Sequence, residues 1–181
     1  RDAVLEAQEI LKRDPDNLPA RRLLARIYVR TLGDLSAAAG QRETVGRAAE
    51  QYREILRIDP GDTEAALSLA RLYRLQNEHD KAAETFRGVL KREPENEAGV
   101  EQLTQLLLDQ GKSPEAVALL EGIVKRSPTG GLLDLLGDAY TQMRHPVQAE
   151  QAYRRAVELE PGEVSHRRGL GQALLAQEKY A

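Results

Sequence analysis

Three histidines, His79, His145 and His166, are the side chains best suited by type to bind a metal or move a proton. Their spacing supports neither role. No HxxxH or HExxH pair places two of them on one helix face, and the chain has no cysteine to complete a ligand set. The glycines of GGLLDLLG, residues 130–137, lack the GxGxxG spacing and a preceding strand. GKSPE, residues 111–115, lacks the upstream glycine of a phosphate loop. It reads better as a glycine ending one helix, then Ser113 and Pro114 opening the next. Acid–base chemistry needs two carboxylates in a dry pocket, and the 29 acidic residues fall mostly on faces open to water. Ser and Thr are few, and none stands near a histidine in a nucleophile pattern. The residues therefore predict a non-enzyme with no catalytic, metal or cofactor site, whose function lies on its surface.

Composition narrows the surface's partners. The chain has 181 residues, is 41% hydrophobic and 30% charged, and carries a net charge of −3. It can bury a core, and it shows no basic excess of the kind nucleic acid selects. No run of eighteen apolar residues exists, so direct membrane insertion is not expected. No signal-peptide pattern stands at the start, and the absence of cysteine is compatible with cytoplasm or periplasm. The opening RDAVLEAQEIL is already helical in pattern and has no initiator Met, which reads as a piece of a longer chain.

The elements that would carry such a surface repeat along the chain. KRDPDN, RIDPGD, KREPEN, KRSPTG and ELEPGE each follow a helical pattern, with prolines at 15, 60, 94, 128 and 161. The gaps are 45, 34, 34 and 33 residues. Proline lacks an N–H and disfavours helix in the residue before it, so it stops a helix at a fixed place. Five residues before these prolines stand Ile10, Ile55, Val89, Ile123 and Ala156. Eight before stand Ala7, Tyr52, Phe86, Leu120 and Tyr153, and twelve before stand Ala3, Ala48, Ala82, Ala116 and Ala149. These offsets share one helix face, and the constant alanine implies close helix–helix approach. After the prolines a second ladder runs through Leu24, Ala25 and Tyr28, then Leu69, Ala70 and Tyr73, then Leu103, Thr104 and Leu107. It continues through Leu136, Gly137 and Tyr140, one residue early, and ends with Leu170, Gly171 and Leu174. Asp62 and Asn96 sit where helix N-caps belong, and Pro114 and Pro146 sit at first helical positions. Each unit is thus a pair of amphipathic helices.

Period, small residue after Leu, Ala–aromatic–apolar ladder and closing proline together resemble the tetratricopeptide repeat, a resemblance covering essentially the whole chain. The family's tryptophan is absent, and Ala66 and Leu133 take its place. The resemblance implies an all-α, right-handed solenoid of helix-turn-helix repeats, about ten helices with no strands. Residues 1–17 would be the second helix of a preceding repeat. Complete repeats would span 18–62, 63–96, 97–129 and 130–163, with one further first helix at 164–181. Both ends falling inside a repeat agree with a piece of a longer chain, and the Ala-, Leu- and Arg-rich style looks bacterial.

Members of this family line a concave groove with their first helices and hold an extended peptide or a partner's helix there. The matching positions are Arg22, Arg26, Val29 and Arg30 in the first complete repeat, then Leu67, Arg71, Arg74 and Leu75. The third repeat supplies Glu101, Gln105, Leu108 and Asp109, and the fourth Asp134, Asp138, Thr141 and Gln142. The groove is therefore expected to be arginine-rich over two repeats and acidic over the next two. Such a groove would take acidic ligand residues over the first pair and basic or neutral residues over the second. A forked guanidinium suits carboxylates. The expected function is a protein or peptide interaction module. Open alternatives are a structural scaffold in a bacterial envelope, pilus or polysaccharide-export assembly, or the substrate-recruiting domain of a larger enzyme. The family's chaperone-tail clamp would fall on Arg22, Arg26, Ser68, Ala98 and Gln102, of which only the first keeps its charge type. The asparagine ladder of the sugar-transferase relatives is missing too.

One stretch breaks the period. TLGDLSAAAGQRETVG, residues 31–46, makes the first gap 11 residues longer than its neighbour. Eleven residues is about three helical turns at 3.6 per turn, so the core faces can stay in phase. The insert, about residues 32–42, should hold a turn with Gly33 as a helix stop and Asp34 or Ser36 as a cap. The second helix should begin early. Leu32, Leu35 and Arg42 are candidate contacts for a partner at this projecting edge, or else pack back on the hairpin. Val4, Ile10, Leu11, Leu170 and Leu174 leave apolar faces at the terminal helices through which the chain could self-associate.

Overall fold

The computed structural model describes residues 2–33 and 38–178. Among them lie ten helices and no strand. They are α1 (Asp2–Arg13), α2 (Leu18–Leu32), α3 (Ala38–Ile58), α4 (Thr63–Leu75) and α5 (His79–Arg92), followed by α6 (Glu97–Asp109), α7 (Ser113–Val124), α8 (Gly130–Gln142), α9 (Pro146–Leu159) and α10 (Val164–Glu178).

The prolines act as helix stops. α1, α3, α5 and α9 each end two residues before their proline. α7 ends earlier, at Val124, because the amides of Arg126 and Ser127 both turn back to the Ile123 carbonyl at 2.9 Å. α8 starts two residues after Pro128, where α2, α4, α6 and α10 start three after theirs, which accounts for the one-residue shift in the next ladder. Starts are capped by side chains. Asn17 accepts from the Ala20 amide at 3.0 Å, Asp62 from Ala65 at 2.9 Å and Asn96 from Gly99 at 2.9 Å. Thr129, which the sequence pattern does not single out, accepts from Leu132 at 3.3 Å. α7 and α9 have no side-chain cap and carry Pro114 and Pro146 in their first turns instead.

Three turns inside repeats share one geometry. Asn77 (φ 59°), Gly111 (φ 70°) and Arg144 (φ 58°) are left-handed. The following amides, of Glu78, Lys112 and His145, reach back to the carbonyls of Tyr73, Leu107 and Tyr140 at 2.9, 2.8 and 2.9 Å. This bond pattern satisfies carbonyls that a helix end would otherwise leave open.

The chain divides into two compact units, Arg1–Val89 and Leu90–Ala181. In the first, α2 and α3 pair, and α3 packs on α4. Ala25, Val45, Ala48, Tyr52, Ile55, Leu69 and Leu72 form its core, with Leu32 packed against it. A smaller cluster of Ala7, Ala20 and Leu24 joins α1 to α2. In the second unit, α8 pairs with α9 and α9 with α10. Val100, Leu120, Leu133 and Ala156 are buried at its centre. The alanines of the ladder behave as spacing implied: Ala48, Ala82, Ala116 and Ala149 are 0% exposed. α1 differs, since Ala3 is exposed and Ile10 is 40% exposed.

The interrupted hairpin is lengthened by helix. α2 has 15 residues and α3 has 21, against 13 and 14 for α4 and α5. Gly33 does cap α2, but in the right-handed region at φ −67°. It stops the helix without using glycine's left-handed freedom. Asp34, Leu35 and Ser36 lie outside the described residues.

Candidate interaction surfaces

On the first unit, arginines project from successive first helices. Arg26 and Arg30 on α2 and Arg71 on α4 are exposed, and among the described residues no carboxylate pairs with them. Arg22 is different. Its Nη2 lies 2.6 Å from Asp62 Oδ2, whose side chain is 6% exposed. Asp62 thus has two duties: one oxygen caps α4 and the other anchors Arg22. A small cleft of about 120 Å³ lies here, walled by Arg22, Arg26, Tyr52, Asp62 and Glu64. Leu67, placed on this face by sequence position, is 8% exposed and belongs to the interior. Arg74 is half-buried.

On the second unit the acidic positions are largely occupied by the protein itself. Asp138 Oδ1 accepts from the Tyr153 hydroxyl at 2.6 Å. Desolvation at its carboxylate raises the Asp138 pKa against the opposing pull of that hydrogen bond, although the residue as a whole is exposed. Burial and the bond to Asp138 hold Tyr153 protonated well above the usual tyrosine range. Asp134 Oδ2 lies 2.6 Å from His166 Nδ1. Gln105 donates to Asp109 at 2.8 Å, and Leu108 is 5% exposed. Glu101 is half-buried, and desolvation, then the charge of Glu97, raises its pKa. Of the six acidic or amide positions expected there, Glu101, Gln105 and Asp109 stand on α6, the last two bonded to each other, while Asp134 and Asp138 hold other side chains and Gln142 accepts from the Ser113 hydroxyl.

Sequence spacing did not reveal the Asp134–His166 pair. The two lie 32 residues apart, close to one repeat, so neighbouring positions on successive first helices come together. A period-shifted search for opposite charge would have found them.

The lengthened hairpin carries a large concavity. A cleft of about 780 Å³ is lined by Leu32, Gly33, Gln41, Arg42, Val45, Leu75, Gln76, Asn77 and Glu78. Leu32 and Arg42 therefore share one cleft with Leu75, which is 65% exposed. Leu35, the third expected edge contact, lies outside the described residues. No group of three or more His, Cys, Asp or Glu among the described residues could hold a metal ion. Among the same residues, no helix is long and apolar enough to cross a membrane.

Comparison with known proteins gives this geometry a context. The tetratricopeptide repeat-like domain model matches residues 25–175. Among solved structures, MamA (41-end) from Desulfovibrio magneticus RS-1 aligns with TM-score 0.68 and 23% identity over 87% of this chain and 85% of that one. PilF of Pseudomonas aeruginosa aligns with TM-score 0.68 and 21% identity over 88% and 70%. TTC0263, a thermophilic TPR protein of Thermus thermophilus, aligns with TM-score 0.64 and 18% identity over 95% and 89%. At these identities the likeness is one of fold. No curated protein sequence matches the chain. Paired helices at a fixed period, the shared fold and the domain match over most of the length lead to one conclusion: the chain belongs to the tetratricopeptide repeat-like family, whose repeats serve as protein–protein interaction modules.

Proposed function

We propose that the first unit binds an extended acidic segment of a partner protein along the first-helix face of α2 and α4. The observation that carries this reading is the set of exposed, carboxylate-free arginines Arg26, Arg30 and Arg71 beside the anchored Arg22. Leaving several guanidiniums unpaired on one face forgoes ion pairs that neighbouring arginines do make, such as Arg21 with Glu54 at 3.2 Å and Arg47 with Glu43 at 2.5 Å. A carboxylate ligand offers each of them two parallel hydrogen bonds. Asp62 and Glu64 at the start of α4 mark the limit of the positive face and disfavour a ligand carboxylate there. The test is a display library of random extended peptides selected on the protein, then measured against Arg26→Glu/Arg71→Glu. Acidic peptides should be selected, and the double reversal should weaken them at least about tenfold, since two charge-assisted contacts are each worth roughly 1.5–3 kcal/mol. Selection of non-acidic peptides, or unchanged affinity after reversal, would remove the reading.

A second reading, docking of a folded partner in a scaffold, rests on the cleft at the lengthened hairpin. It joins exposed Leu75 and the Leu32 and Val45 side chains to the charge of Arg42. Leu75→Asp with Arg42→Glu should abolish capture of such a partner and leave peptide binding at Arg26 and Arg71 intact. Loss of both together would place the partner on the first-helix face.

A further inference from the structure

His166 on α10 is 3% exposed and meets two carboxylates. Its Nδ1 lies 2.6 Å from Asp134 Oδ2 on α8. Its Nε2 lies 3.5 Å from Glu160 Oε2, in the C-cap of α9. Glu160 is itself held in place, because its Oε1 accepts from the Gly130 amide at 2.9 Å, at the N-terminus of α8. Gly130 is small for this reason: a Cβ there would stand 2.5 Å from His166 Nε2 and 2.6 Å from the Glu160 carboxyl carbon. His166 Nε2 and Asp134 Oδ1 are buried without a hydrogen-bond partner. A neutral imidazole donates to one carboxylate at most and turns a lone pair toward the other, whereas the imidazolium donates from both nitrogens.

We infer that His166 is a proton-operated clasp, which when protonated ties α10 to α8 and to the turn after α9, and when neutral lets α10 loosen. The charged groups that face the ring are Asp134 from α8 and Glu160 from the α9–α10 turn. Ser165, next to it on α10, brings its hydroxyl within 3.4 Å of Nδ1, and that hydroxyl also donates to Glu163 at 3.3 Å. Arg168 acts on Asp138, and the Tyr153 phenol from α9 is turned to Asp138 as well. Among the described residues, no positive side chain therefore opposes a proton on the ring. Burial alone would lower the His166 pKa, but the hydrogen bond and charge of Asp134, then the nearby carboxylate of Glu160, outweigh it and the result is raised. A raised folded-state value means the clasp contributes fully below the unfolded pKa, about 6.5, and is lost as pH rises through the folded value. Loosening α10 would uncover Ala149 and Tyr153 of α9, against which its own Leu170 and Ala173 pack. The second unit's surface would then change as pH rises above the unfolded value. The inference is independent of the arginine face.

The measurement is amide hydrogen exchange of the whole chain between pH 5.5 and 8.5, corrected for intrinsic rates. α6 of the same unit serves as the internal reference. α10 protection should fall by up to about tenfold per pH unit within the window, the proton linkage of one site, while α6 stays level. In His166→Gln the slope should vanish, and in Glu160→Gln, which keeps the ring, the window should narrow. A flat wild-type profile, the wild-type slope in His166→Gln, or an unchanged window in Glu160→Gln overturns the clasp. Direct NMR titration of the wild-type His166 ring does so equally if its pKa is at or below about 6.5.

Discussion

Tyr153 shows how far a side chain's fit depends on atoms that are missing. Its ring lies between α8 and α10, where a Cβ on Gly137 would stand 2.6 Å from it and one on Gly169 2.5 Å. Gly137→Ala and Gly169→Ala should each lower stability by about 1–3 kcal/mol through overpacking, measured by urea unfolding. Gly171→Ala meets nothing within 4 Å and should not lower it at all. The sequence pattern points to Gly137 and Gly171 as the small positions, and only the first is right for this ring. Periodicity locates backbone positions on a helix face; it carries no information on which way a ring leans between two helices. The same limit hid Thr129 as a cap and Asp134 as the support of His166. Asp62 was legible as a cap but not as the anchor of Arg22. Asp62→Ala should therefore cost more than Asn96→Ala, which loses a cap worth about 1 kcal/mol and only an exposed hydrogen bond to Glu93 besides. Thermal unfolding of the two variants checks the order.

At the scale of the element, helix number, helix type and the proline stops were all readable, because propensity, capping and hydrophobic period agree in every repeat. The end of α7 was not, since the backward bonds to Ile123 are a local choice that the ladder does not record. The lengthened hairpin was readable in its count of turns, while its packing needed coordinates: Leu32 lies against the first unit's core and Val45 is 6% exposed within it. Removing residues 32–42 keeps the helical phase but strips Leu32 from that core. The midpoint of thermal unfolding should fall, and an unchanged midpoint would mean the tip is idle in stability. Gly122, by contrast, sits inside α7 with open space around its Cα. Gly122→Ala should raise stability by about 0.5–1 kcal/mol, since alanine restricts the unfolded chain and favours the helix.

For the whole molecule, repeat architecture makes contacts largely local, so damage should stay near its source. Leu24 is 2% exposed in the first unit and Leu133 is 0% exposed in the second. Leu24→Ala should cost about 2–5 kcal/mol and release amides mainly in α1–α3, while Leu133→Ala releases those of α6–α9. Hydrogen exchange of both variants reads the difference directly. The three left-handed turns carry a consequence of another kind. Asn77, Gly111 and Arg144 stand 34 and 33 residues apart and share one backbone shape, yet their side chains have nothing in common. What the three turns share is a torsion angle rather than a chemical group, so one geometry is reached with three unlike side chains. Arginine is the occupant least at ease in that shape, which makes Arg144 the natural starting point for anyone wishing to re-engineer the chain without disturbing a single packed contact.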